Sequence, residues 1–139
     1  MQVLNGRNFI NAKEFSNKVC KYIEVDKNGK LKNFKVFIIM DTDDCDSKTL
    51  KLYKSKNLFT NHWLKPYIVP IYNSPNLDSI LRSLSYPIDT NNKADSYQKI
   101  FPGKSGDSKS FLRLKERITE LDTQNSNMIK MIDYLSKYI

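Results

Sequence analysis

Apolar runs alternate with polar stretches along the first two thirds of the chain and predict alternating strands and helices. Residues 34–40, FKVFIIM, form a continuous run rich in β-branched and aromatic residues, which is typical of a strand buried on both faces. A short strand, QVL, is predicted at residues 2–4. Residues 63–73, WLKPYIVPIYN, predict a further strand, and Pro66 and Pro70 place it at a sheet edge or make it irregular.

Helices are predicted between these strands from apolar residues at helical spacing and from capping residues. The first begins near Asn11, the second is capped by Asp46 or Ser47, and the third begins in the turn at residues 74–76. This order predicts an α/β fold, a largely parallel sheet flanked by helices.

The last third of the chain changes character and predicts a helical extension, residues 91–139, packed on the sheet unit of residues 1–90. At most a short helix is predicted around Ser96–Ile100. A longer helix is capped by Asp107 or Ser108, and a final helix follows the polar stretch at 122–127. A chain of 139 residues is long enough for one core and short for two.

The charge is strongly basic. The 23 Lys+Arg against 15 Asp+Glu give a formal net charge of +8, which favours polyanionic partners such as nucleic acid. Cys20 and Cys45 fit neither a zinc site nor a disulfide framework and are expected to be free thiols in a reducing cytoplasm. No apolar run approaches the ~20 residues that span a bilayer, so a cytoplasmic protein without a membrane anchor is expected.

The strand at 36–40 runs directly into an acidic cluster, Asp41-Thr42-Asp43-Asp44. Carboxylates this close repel each other unless a divalent metal, a basic ligand or open solvent offsets the repulsion. Ligands bind beyond the carboxyl ends of parallel strands, and a strand-like continuation would put Asp41 and Asp43 on one face. Two carboxylates suit Mg²⁺ or Mn²⁺. The alternative is that the aspartates only turn the chain and cap the next helix.

Two segments carry a family resemblance. QVLNGRNF and VFIIMDTDD resemble the second strand with its turn, and the third strand with its D-x-D pair, of a Toprim (topoisomerase–primase) domain. The similarity is to the nucleases of the overcoming-lysogenization-defect type and covers roughly residues 2–80. It implies a Toprim/Rossmann-like sheet in which Asp41 and Asp43 bind the metal of a magnesium-dependent phosphodiesterase or nuclease.

The chain departs from that family where the first strand and its glutamate, the general acid/base, would stand. Its four glutamates are Glu14, Glu24, Glu116 and Glu120, and none is predicted at a strand end. We therefore expect either a truncated or degenerate domain or one completed by another subunit or gene product. No catalytic residue is assigned. The alternative function is a non-catalytic assembly module, for example one of phage defence, that dimerises or pairs with a partner through an exposed sheet edge.

Other classes of protein that carry D-x-D after a strand fit this sequence less well. Haloacid-dehalogenase-like phosphatases share a strand followed by D-x-D, but Cys45 occupies the last motif position here. Sugar-nucleotide transferases need a larger donor domain, and receiver domains carry their acidic pair on the first strand.

Additional ligands are proposed from position. Asp44 and Asp78 are candidates for further acidic ligands, although Asp78 also suits the positive end of a helix dipole. Lys104 and Lys109 flank glycines before a helix N-terminus and could bind phosphate, with a surface loop as the alternative.

Overall fold

The computed structural model describes residues 24–101 and 107–138. The two strands are β1, Val36–Asp41, and β2, Ile68–Asn73. The five helices are α1, Ser47–Lys54; α2, Leu77–Ser83; α3, Lys93–Ile100; α4, Ser108–Thr119; and α5, Ile129–Leu135. The strand predicted at residues 2–4 and the helix predicted from Asn11 lie outside the described residues.

The two strands pair in parallel, with Val36 opposite Ile68 and Asp41 opposite Asn73. The predicted α/β class and parallel pairing are therefore confirmed for the part of the chain that the structure describes. Alternation along β1 places Phe37, Ile39 and Asp41 on one face of the sheet, which we call the α5 face. Helix α1 covers the opposite face, where the ammonium of Lys54 lies 3.9 Å from the ring centroid of Tyr72.

A buried tyrosine on α1 holds the two strands together. Tyr53 is 1% exposed, and its hydroxyl lies 2.5 Å from the carbonyl oxygen of Ile38 in β1 and 2.7 Å from that of Ile71 in β2. The backbone N–H of Ile71 donates to the same hydroxyl at 3.2 Å. The hydroxyl has one hydrogen, so it donates to one of these two carbonyl oxygens at a time while it accepts from Ile71 N–H, and it thereby links both strands. Burial raises the pKa of Tyr53 to about 12.

The outer edge of β2 is covered by the segment that precedes α5. The side-chain amide of Asn127 donates to Pro70 O at 3.0 Å, and its oxygen accepts from Tyr72 N–H at 2.8 Å. A strand residue directs its N–H and C=O to the same side, so the N–H that Pro70 lacks would have pointed away from β1. This explains how β2 holds a proline and confirms its prediction as an edge strand within the described sheet.

One core joins the sheet to the helices of the last third. Ile71 and Leu81 share it with residues of α3, α4 and α5. The buried residues contributed by those helices and by the residue before α5 are Ile100, Phe111, Leu114, Ile118, Met128 and Ile132. The predicted caps are confirmed for two helices, because the carboxylates of Asp46 and Asp107 accept backbone N–H groups of Thr49 and Ser110.

Two predictions about individual elements were wrong. Strand β1 is not buried on both faces: none of its residues is fully buried, and Ile39 is 49% exposed. Helix α3 spans Lys93–Ile100 instead of beginning near Ser96, because Asn92 caps it through a hydrogen bond from Asp95 N–H. Among the described residues, no helix is long and apolar enough to cross a membrane.

Tyr53→Phe should lower the free energy of unfolding by about 1–3 kcal/mol, because it removes the hydroxyl that links Ile38 O of β1 with the buried backbone of Ile71 in β2. Urea unfolding measures the change. Tyr138→Phe is the matched control: that side chain is 63% exposed, so its effect should stay within about 0.5 kcal/mol. Equal effects in the two variants would contradict the role assigned to Tyr53.

Candidate metal centre

Three carboxylates meet at the carboxyl end of β1. The strand ends at Asp41, and Thr42–Asp44 form a single 3₁₀ turn. Carboxylate oxygens of Asp41, Asp43 and Asp44 all lie within 4.8 Å of one another, with Asp41 half-buried and the other two exposed. The strand-like continuation that would align Asp41 with Asp43 is therefore wrong. The tight turn brings them together instead and adds Asp44.

Hydrogen bonds from the N-terminus of α2, which follows β2, orient two of these carboxylates. Leu77 N–H donates to Asp41 Oδ1 at 3.0 Å, and the side-chain amide of Asn76 donates to Asp43 Oδ2 at 2.8 Å. The two loops also bond directly, since Asp43 N–H donates to Pro75 O at 3.1 Å. These contacts use one oxygen of each carboxylate and fix its direction, as outer-shell partners do for metal ligands.

Burial acts on Asp41. It raises the pKa of this carboxyl above its ordinary value of 3.8, and the negative charges of Asp43 and Asp44 raise it further. The Leu77 N–H and the side-chain amide of Asn73 oppose the rise in the pKa of Asp41. The cluster is therefore a site in which negative charge is costly, and a bound cation would relieve that cost.

Asn73 is the residue at this site that the sequence argument missed. It ends β2 opposite Asp41 and is 0% exposed. Its Oδ1 accepts from Ser126 Oγ at 2.8 Å. Its Nδ2 is buried and makes no hydrogen bond of normal distance and angle in the described part of the chain, so it acts on the pKa of Asp41 only as a nearby dipole. Two parallel strands end at the same sheet edge, so the last residue of the second predicted strand was the signal that could have found it.

Asp78 has other partners. Its carboxylate accepts from the Tyr97 hydroxyl and forms an ion pair with Lys93 at 2.5 Å. These contacts, led by Lys93, lower the pKa of Asp78. Burial raises the pKa of Tyr97 to about 12, and the charges of Asp78 and Asp41 contribute to the rise. Asp78 therefore lies close to the acidic cluster but is not one of the three residues whose oxygens meet.

The two predicted phosphate ligands are not brought to the cluster by any described contact. Lys109 is exposed in the first turn of α4, and Lys104 lies outside the described residues. Asp46 caps α1, as the sequence predicted. Cys45 is a free, partly buried thiol whose Sγ lies 3.9 Å from the Thr42 carbonyl oxygen.

The arrangement offers oxygen ligands without nitrogen or sulfur donors. Such a set selects hard cations, and Mg²⁺ or Mn²⁺ would keep waters and phosphate oxygens in its remaining positions. Comparisons with protein-family models, with curated proteins and with solved structures found no match to this chain.

The Asp41→Asn variant should be more stable than the parent at neutral pH in metal-free buffer. A folded-state pKa above the ordinary 3.8 means that ionising Asp41 costs stability, and this cost grows as pH rises from 3.8 through the raised pKa. The difference between variant and parent should therefore vanish at pH values below 3.8. Urea unfolding across a pH series with EDTA measures it.

Asp78→Asn provides the control of opposite sign. The pKa of Asp78 is lowered, so its stabilising contribution is present above 3.8 and is lost as pH falls through the folded-state pKa. This variant should be less stable than the parent at neutral pH. A destabilised Asp41→Asn protein whose deficit disappears at low pH would show that the Asp41 carboxylate serves the fold as an ion, and a difference independent of pH would show that its charge plays no part.

Proposed function

We propose that this chain is a Toprim-like domain that binds a divalent cation, Mg²⁺ or Mn²⁺, and a phosphodiester ligand. Asp41 and Asp43 are the metal carboxylates, and Asp44 is an additional acidic ligand. The observation that supports this most is the meeting of three carboxylates within 4.8 Å at the carboxyl end of a parallel strand. That edge is where α/β proteins place their ligands.

The competing explanation is that the aspartates only hold the loops. Leu77 N–H and the Asn76 amide do bond Asp41 and Asp43, but each bond uses one oxygen. If the aspartates only held the two loops together, Asp44 would not need to lie beside Asp41 and Asp43. Nor would Asp41 need to lie where burial raises its pKa. A cation that shares the three carboxylates accounts for both features.

In a working site, the cation would bind a phosphate oxygen and lower the pKa of a coordinated water. The chain's own residues would contribute the orientation of the carboxylates and a partly water-excluded Asp41. If the domain is active, it is a magnesium-dependent phosphodiesterase or nuclease. No described residue takes the place of the family's glutamate at a strand end, so a general acid/base is not assigned.

A titration with Mg²⁺ and Mn²⁺ should raise the thermal stability of the parent protein. A ligand that binds only the folded state stabilises it by about 2.7 kcal/mol at 100 times its dissociation constant. The double variant Asp41→Asn/Asp43→Asn should lose this response. Glu116→Gln/Glu120→Gln removes the same charge from exposed positions of α4 and its C-terminal cap and should keep it.

Isothermal titration calorimetry of the same three proteins separates binding from general salt effects. Heat of binding in the parent and the glutamate variant, but not in the aspartate variant, would support the site. Absence of both heat and thermal shift in the parent would overturn it.

The second candidate is an assembly module that pairs through β1. Within the described residues β1 has a strand neighbour on one side only, and Ile39 on its α5 face is 49% exposed. Light scattering after size-exclusion chromatography tests this alternative: an Ile39→Lys variant should be monomeric if the parent dimerises through this surface.

A further inference from the structure

A hollow on the α5 face combines an apolar floor with a basic rim. Phe37 of β1 and Val69 of β2 are register partners, and Tyr134 of α5 packs on Phe37 with 5.5 Å between ring centroids. Around this floor stand Lys35, Lys130, Asp133 and Lys137, and the cavity measures about 230 Å³. We call it the lysine groove.

The spacing of its residues explains how the groove is built. Lys130, Asp133, Tyr134 and Lys137 recur at intervals of three and four, which places them on one side of α5 and the turn that follows it. The Tyr134 hydroxyl donates to Asn33 O at 3.2 Å and ties this helix to the segment that enters β1. The groove is therefore part of the packed fold.

Its charge is available for a ligand. Lys35, Lys130 and Lys137 are exposed, and none forms an ion pair among the described residues. Asp133 is the acidic residue of the rim, and Lys115 on α4 already pairs with it at 3.0 Å. Three ammonium groups without an ion pair in the described part of the chain, beside a half-buried aromatic ring, match a ligand that carries both phosphates and flat bases.

The size and position of the groove favour a strand over a small molecule. Its volume is below the about 300–1,000 Å³ typical of pockets that enclose a drug-sized ligand, so it has room for one base with the rest of the ligand outside. Phe37 and Asp41 share the α5 face, and four steps along the strand, of about 3.3 Å each, place them about 13 Å apart. Exposed Ile39 lies between them.

We propose that the lysine groove binds single-stranded nucleic acid, with a base against Phe37 and Tyr134 and phosphates at Lys35, Lys130 and Lys137. The bound strand then runs along the α5 face past Ile39 toward the acidic cluster. This inference rests on the proposed function for its ligand class, but strand binding in the groove needs no metal.

Fluorescence anisotropy with a labelled single-stranded oligonucleotide of about 12 nucleotides tests the groove in EDTA; OB-fold domains, which also bind single strands, cover about 4–16 nucleotides. Replacing the three lysines by glutamine (Lys35, Lys130 and Lys137) should weaken binding at least tenfold. It should also make the slope of log K against log salt less negative by about 2, since each phosphate contact on a single strand contributes about 0.7.

The matched control replaces Lys27, Lys48 and Lys51, which lie outside the groove, by glutamine and removes the same charge. It should bind nearly as tightly as the parent. Equal weakening in the two triple variants would overturn the proposal, because general charge would then explain all of the binding.

Tyr134→Leu keeps an apolar floor and removes the ring, and it should weaken strand binding about fivefold or more. Circular dichroism checks that this variant is folded, and the lysine variant tests the groove independently of it. A mononucleotide and polyglutamate are the competing ligands. Displacement of the strand by either at equal charge concentration would overturn the assignment to a nucleic-acid strand.

The metal site and the groove can fail separately. Asp41→Asn/Asp43→Asn should retain strand binding in EDTA, and the triple lysine variant should retain the thermal response to Mg²⁺. If the parent protein binds the strand but shows no response to metal, the metal site is contradicted and the proposal for the lysine groove still stands.

Discussion

The contact of the Tyr53 hydroxyl with both strands is the interaction on which the rest of the architecture depends. This hydroxyl belongs to a side chain that is 1% exposed, and it lies within hydrogen-bond distance of Ile38 O and Ile71 O. The register it helps to hold puts Asp41 opposite Asn73. The loops that follow the two strands can then bond each other, as Asp43 N–H does with Pro75 O. A two-stranded sheet alone is marginal in water, so this bridge and the shared core carry its stability.

Two aspartates at the carboxyl edge of the sheet have pKa values that are shifted in opposite directions. Asp78 has Lys93 and Tyr97 as partners, and its pKa is lowered. Asp41 has hydrogen-bond donors but no cationic partner among the described residues, and its pKa is raised. The fold thus neutralises one carboxylate and leaves the adjacent cluster with charge that it does not offset. Such a difference is expected when the second group is kept for a ligand.

The helix caps and the edge strand depend on interactions between residues close in sequence, and the sequence predicted them correctly. Asp46 and Asp107 cap their helices because a carboxylate bonds N–H groups two or three residues on, and Pro70 marked an edge strand because it has no N–H to donate. Burial depends on distant neighbours, which is why the apolar residues of β1 suggested a fully buried strand although Ile39 is exposed. The sequence did not point to Asn73 for the same reason, because its place at the site depends on its pairing with Asp41 on the other strand.

The separation of the acidic cluster from the lysine groove determines how the two can act on each other. Phe37 and Asp41 are about 13 Å apart along β1, whereas charges in physiological salt are screened over about 8 Å. A cation at the cluster therefore has little direct electrostatic effect on a base held in the groove. A strand that touches both places would couple them, because its phosphates would meet the lysines at one end and the cation at the other. Without the cation, that second end would meet three carboxylates and be repelled. Any dependence of strand affinity on metal is thus a measure of how far along the α5 face the ligand extends.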